Sequence, residues 1–445
     1  MIVFSAFFTK KTMHKENNLQ KVLMDRLLSP TGKGLGDVSL QPSIAATPQL
    51  GWNLLKEQVS LPVAVLSQTR IQHNLRWMES FISTYGLKLA PHGKTTMSPA
   101  LFHQQLAHGA WGITLATAPQ VQAAHHFGVR RVLMANQLVG RANMAIIFRL
   151  LQDPEFEFFV IVDSAANVEQ LGQFFAQSGQ TLNVLLELGV DGGRTGVRDP
   201  QTRDSVLDAI ARYPQSLALR GIEVYEGVLK DEAAIRDFLR LAVRELMTLE
   251  AHSQLADGQI ILTGAGSAWF DLVAEEWTGV TLGRPLDIIL RPGCYLTHDV
   301  GIYKAAEARI HASNPVARAM QTSLLPALQL WAYVLSIPEP GLAILGLGKR
   351  DAAFDAGLPI PAMHFRPQNM GRSGSEAPIA APADWQLTAM MDQHAFMKVS
   401  PDADLQVGDM LALDISHPCL TFDKWRQLLV VDDHYTVVDA VETFF

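Results

Sequence analysis

The stretch Leu89-Ala-Pro-His-Gly-Lys-Thr-Thr-Met97 sets one lysine two residues after a histidine, at the end of a short apolar run. Alternate side chains of a strand share a face, so His92 and Lys94 are expected to point the same way. A lysine enclosed by a fold is costly unless it has a use, and its commonest use is a Schiff base. If the run is a barrel strand, that face opens at the end where barrel active sites form.

Other residues with chemical potential follow. Thr263-Gly-Ala-Gly-Ser267 is an apolar run ending in small residues that open toward a helix. Such a turn offers backbone N–H groups and hydroxyls to a phosphate, although a plain strand-to-helix turn reads the same way. It is not the Gly-x-x-x-x-Gly-Lys-Ser of a nucleotide loop. His417-Pro-Cys419 follows the apolar run 410–415. Imidazole and thiolate on one side of an extended segment would make a soft two-point set for zinc, though a surface histidine near an inert cysteine has the same signature. Two ligands are too few for a closed structural site, so a metal there would be catalytic. Arg194 (in Gly189-Val-Asp-Gly-Gly-Arg-Thr-Gly196), Tyr225 and Tyr295 (in Arg291-Pro-Gly-Cys-Tyr295) also stand at the ends of apolar runs. His73, His103, His108, His125, His126 and His298 lack metal spacing and read as structural or solvent-facing.

These residues need elements to position them. Between about 88 and 292, eight short apolar runs alternate with amphipathic stretches. The runs are 88–93, 111–116, 131–136, 158–163, 182–189, 219–225, 259–264 and 287–292. Helical periodicity marks 98–109, 118–128, 140–151, 164–178, 202–213 and 231–254. Near-continuous Val/Ile/Leu runs suit parallel strands covered on both sides. Eight of them give the arithmetic of a TIM-type (β/α)8 barrel, with an open doubly wound sheet as the alternative. Past residue 300, Pro and Gly become frequent, and 328–334, 342–346, 394–399 and 410–415 read as strands of a mainly-β domain. The run Leu61–Leu66 is expected to pair with them, and 367–384 reads as a long loop. The expected division is an N-terminal arm over 1–58, partly disordered, the barrel over 59–300, and a C-terminal β domain with the metal pair over 301–445.

Composition narrows the partners. The 445 residues are 48% hydrophobic and 18% charged with a net charge of −8, which leaves no basic footprint for nucleic acid or membrane. The two cysteines, far apart in sequence, make no disulfide framework. No run reaches the ~20 apolar residues that span a bilayer. Lys10 and Lys11 follow the apolar Met1–Phe8 rather than preceding it, the reverse of a signal peptide. A cytoplasmic protein is expected.

Taken in order, the lysine of Pro-His-x-Lys-Thr, the Gly-x-Gly-Ser turn and the late His-x-Cys resemble the alanine-racemase-fold (fold type III) pyridoxal-phosphate enzymes of the D-serine dehydratase and D-threonine aldolase group. The likeness runs from about 60 to 430. It implies that Lys94 carries pyridoxal 5′-phosphate as a Schiff base and that Thr263, Gly264, Gly266 and Ser267 hold the phosphate. It implies that His92, Arg194, Tyr225 and Tyr295 line the ring and substrate. It also implies that His417 and Cys419 bind a divalent metal, zinc first, with manganese or cobalt as alternatives. The aldolase branch has a carboxylate in place of Cys419, so the thiol tilts the expectation toward a dehydratase acting on a D-3-hydroxy amino acid of the D-serine or D-threo-3-hydroxyaspartate kind. The residues around Lys94 depart from the usual pattern, which leaves the substrate open. The alternatives are aldol cleavage to glycine plus aldehyde, a racemase with Tyr303 or Tyr333 as second base, and a non-catalytic pyridoxal-phosphate carrier. A homodimer is implied by the same resemblance.

Overall fold

The computed structural model describes residues 22–445 apart from 40, 178 and 369–373. Segment 1–21 of the expected arm lies outside the described residues, as does part of the 367–384 loop.

Strand β1 (Val63–Ser67) precedes eight strands that form one parallel sheet. They are β2 (Lys88–Leu89), β3 (Ile113–Leu115), β4 (Arg131–Gln137), β5 (Glu157–Val162), β6 (Leu182–Leu188), β7 (Leu217–Val224), β8 (Ile260–Gly264) and β9 (Leu286–Leu290). Their order, β2-β9-β8-β7-β6-β5-β4-β3, makes consecutive strands from β3 to β9 sheet neighbours and sets β2 beside β9. The two ends of that order are tied by a parallel bridge from His92 to Thr114. Trp111 N donates to Leu89 O (2.6 Å) and Thr114 N to Pro91 O (3.0 Å) across the same seam. The sheet is thereby curled into an eight-stranded barrel. Leu133, Phe159, Leu185, Ile261 and Ile289 fill its interior, while the alternate residues pack outward on the helices, which is why the strands read as unbroken apolar runs.

Local sequence explains where the helices begin. Thr117, Ser164, Asp199 and Asp231 each cap a helix by accepting a backbone N–H, and Pro99, Pro119 and Pro200 sit in first turns, where a missing N–H is harmless. Observed bounds of the barrel elements fall within about four residues of the expected runs.

Strands β10 (Leu328–Glu339) to β18 (Val437–Glu442) form the C-terminal sheet, and β1 sits inside it. It pairs antiparallel with β10 and parallel with β17 (Gln427–Val431), so the 61–66 run belongs to this sheet and not to the barrel. Residues 22–58 are packed against the same sheet. Leu28, Leu35, Ile44, Trp52 and Leu54 share a core with Val63, Trp331, Met410 and Val437. From residue 22 onward the segment expected as an arm is therefore a cover for an apolar sheet face, with Leu28 and Leu35 buried.

Candidate active site

The C-terminal ends of the barrel strands surround a cavity of about 240 Å³. Of the residues singled out above, His92, Lys94, Arg194, Tyr225, Gly266, Ser267, His417 and Cys419 line it. Thr263, Gly264 and Tyr295 do not.

Lys94 lies past the end of β2, in a single 3-10 turn Gly93–Thr95 with His92 as its N-cap. It keeps an accessible surface just ahead of the buried run Thr95–Pro99, and that surface faces the cavity. Partial burial is the first cause that lowers its pKa. The Arg194 and Arg291 charges push the same way, against the Cys419 and Cys294 sulfurs. A neutral amine is therefore more accessible than on a free lysine. His92 is held neutral, burial first and then Lys94 lowering its pKa far below the usual value. Its buried Nδ1 has no hydrogen-bond partner.

The expected phosphate turn is arranged differently from its sequence reading. Thr263 Oγ1 donates to Ile289 O (2.9 Å) inside the barrel wall. Gly264 packs against Trp277, which a β-carbon would meet at 2.8 Å. The amides of Ala265 and Gly266 donate to the Glu226 carboxylate at 3.0 and 2.7 Å. Ala265 holds a left-handed φ of 78°, a conformation an alanine adopts at a cost of ~1–2 kcal/mol and that these bonds maintain. Ser267 is left free of that clamp. The amides of Gly293 and Cys294 converge on its Oγ, each at 3.1 Å. A β-carbon on Gly293 would lie 2.6 Å from His92 O, so only glycine lets this turn close on the lysine turn.

Arg194 lies over the Tyr225 ring, 4.6 Å from its centroid. Arg291 is buried and paired with Glu223, and it donates to Val224 O (2.9 Å). Sequence reasoning passed over Arg291, Glu226 and Cys294. Arg291 and Cys294 belong to the quoted strand-end motif, which was the available signal; Glu226 gave none beyond adjacency to Tyr225. Tyr295 is a buried aromatic whose hydroxyl accepts from Gln105 (3.2 Å), a core residue outside the cavity.

His417 and Cys419 arrive from the C-terminal domain, after β16 (Met410–Asp414). Pro418 is helical, and Cys419 opens a short helical turn, so the segment is bent where an extended one was expected. The two side chains still meet: the Cys419 sulfur is the first cause raising the His417 pKa to about 9, and Asp355 adds to it. His417 Nδ1 is 2.8 Å from Asp355 Oδ2. Cys419 Sγ lies 3.4 Å from Thr95 Oγ1, beside the lysine, and 3.8 Å from Cys294 Sγ. Its thiol is pushed down and that of Cys294 up, the contact between the two sulfurs being the first cause of both shifts. Among the described residues, no three His, Cys, Asp or Glu side chains form a ready metal cluster.

A cavity with an accessible, pKa-lowered lysine beside amides converging on one hydroxyl fits an aldehyde that carries a phosphate. The unpartnered His92 nitrogen fits a polar ring beside them. The alanine racemase N-terminal domain family matches residues 66–285 and the serine dehydratase domain family matches 327–431. The chain belongs to the fold type III pyridoxal-phosphate enzymes. This pyridoxal-phosphate-dependent lyase is 28% identical to a D-threonine aldolase of Arthrobacter sp over 84% of its own length and 90% of that protein's. It is 30% identical to the D-threo-3-hydroxyaspartate dehydratase of Delftia sp. (strain HT23) over 37% of its length and 43% of the relative's. The crystal structure of D-threonine aldolase from Filomicrobium marinum superposes with a TM-score of 0.71 at 21% identity, covering 88% of this chain and 96% of that one.

Proposed function

We propose that the lyase acts on D-3-hydroxy amino acids and dehydrates them, releasing a 2-oxo acid and ammonia. The observation that carries this reading is the His417–Cys419 pair in the same cavity as Lys94. A divalent metal, zinc by the softness of the donors, would be held by these two side chains and supply a Lewis acid for the departing β-hydroxide. Pyridoxal phosphate would be held by Lys94, Ser267 and the amides of Gly293 and Cys294, and supplies an electron sink at Cα when bound.

The protein's own groups do the rest. Lys94 Nζ, with its lowered pKa, takes the α-proton in its neutral form. Arg194, steadied over Tyr225, is a cation at the cavity wall for the substrate carboxylate. Breaking Cα–H and Cβ–O removes one water, and one water returns as the amino group leaves as ammonia.

The longer match to aldolases supports a second reading, Cα–Cβ cleavage to glycine plus an aldehyde. A racemase is less well supported. It needs a second base, and burial raises the pKa of Tyr303, the cavity's other tyrosine, far above its usual value, so it stays a phenol. Purified enzyme given D-serine, D-threonine and D-threo-3-hydroxyaspartate should release oxo acid and ammonia in equal amounts. Glycine plus aldehyde would instead establish the aldolase. Cys419→Ala should keep the cofactor's colour and lose turnover.

A further inference from the structure

The chain has two cysteines, and the fold brings them together. Cys294 enters from the turn after β9, and Cys419 from the C-terminal domain. Both are free thiols lining the cavity, with Sγ atoms 3.8 Å apart. Thr95 Oγ1 touches both sulfurs, at 3.9 Å from Cys294 and 3.4 Å from Cys419. The sulfurs are in contact and have to approach only to the ~2.05 Å of a disulfide. Cys419 is half-buried at the cavity wall, and Cys294 is buried behind it. One sulfur is thus open to a small reagent, and the second is placed to resolve what forms on the first.

We propose that Cys294 and Cys419 form a reversible disulfide when the enzyme meets hydrogen peroxide, withdrawing Cys419 from the cavity's ligand set. The loss of a ligand rests on the functional reading above; the sulfur chemistry does not. The Cys419 sulfur attacks one peroxide oxygen, the O–O bond breaks, and hydroxide leaves with a sulfenic acid on Cys419. The Cys294 sulfur then attacks the Cys419 sulfur. The S–S bond forms, the S–O bond breaks, and the oxygen departs as water with the Cys294 proton. Two thiols lose two electrons in total and the peroxide becomes two waters. A dithiol reductant reverses the change by thiol exchange.

The cross-link is read by mass, so its fate is separate from that of the metal and the reaction. Purified holoenzyme treated with hydrogen peroxide should lose two hydrogen masses and yield one linked peptide pair containing Cys294 and Cys419. Dithiothreitol should restore the mass and any turnover that was lost. Cys294→Ser, and Cys294→Ala should the serine variant misfold, should give no linked pair and should pass to sulfinic or sulfonic acid at Cys419, which dithiothreitol does not reverse. Wild type that shows irreversible Cys419 oxidation with no linked pair would overturn the proposal. So would a linked pair joining two chains instead of one.

Discussion

His417 Nδ1 and Asp355 Oδ2 stand 2.8 Å apart, which fixes the ring and leaves Nε2 as the nitrogen free for a metal. Histidine ligands commonly give their other N–H to a carboxylate in this way, and loss of that carboxylate typically costs 10–100-fold in affinity. Asp355→Asn should therefore weaken zinc binding by about tenfold or more while leaving cofactor absorbance intact. Titration of chelator-stripped protein with zinc checks this. Equal zinc affinity in both proteins would count against a metal on His417.

Lys94→Arg keeps the charge and removes the primary amine that forms a Schiff base. The variant should bind pyridoxal phosphate without the absorbance band of the lysine adduct. Borohydride should then fix no cofactor mass on the protein, whereas wild type should carry it on the peptide holding Lys94. Covalent cofactor on the arginine variant would move the site to another lysine.

Glu226 clamps the turn that carries Ser267, through the amides of Ala265 and Gly266. Glutamine offers one acceptor and one N–H₂ group, so one of those amides would face a donor. Leaving a buried group unsatisfied costs ~1–3 kcal/mol. Glu226→Gln should lower stability by about that amount and weaken pyridoxal phosphate binding about tenfold. Denaturant melts and a fluorescence titration read the two effects. A variant with unchanged cofactor affinity would show that the turn holds its shape unaided.

Glu187 is buried in the barrel, where it accepts from Gln137 Nε2 (2.6 Å) and Thr195 Oγ1 (2.5 Å). Burial first, then the Glu223 carboxylate, raises its pKa from 4.5 to about 7. The folded state therefore binds this proton more tightly than the unfolded chain. Its stabilising contribution is complete below about pH 4.5 and is lost as pH rises to about 7, by roughly 3 kcal/mol. Glu187→Gln cannot titrate, so its Tm should gain on wild type between pH 5 and pH 8. Parallel Tm curves for the two proteins would remove Glu187 from the pH dependence.

The barrel was legible because each strand is buried on two faces and each helix on one, so period and composition announce them residue by residue. Lys94 was legible for a related reason: a charged residue closing an apolar run stands out against its surroundings. The β1 strand was legible as a strand, and its match to the C-terminal strands followed from its place ahead of the barrel.

What local pattern could not convey was commitment. Thr263, Gly264 and Tyr295 have the right types at the right strand ends. Yet Thr263 and Tyr295 direct their hydroxyls into the barrel wall and core, and Gly264 backs onto Trp277. Conversely, Glu226 and Arg291 gain their roles from partners 40 and 68 positions away, respectively.

The chain alone determined the barrel strands and the placing of Lys94 and of the late histidine–cysteine pair beyond strand ends, since each rests on short-range periodicity and residue chemistry. Only the tertiary structure decided that the amides of Ala265 and Gly266 go to Glu226 and those of Gly293 and Cys294 to Ser267, that residues 22–58 cover a sheet, and that Cys294 meets Cys419. Those outcomes depend on contacts between segments far apart in sequence, and a side chain's hydrogen-bonding capacity belongs to whichever neighbour reaches it first.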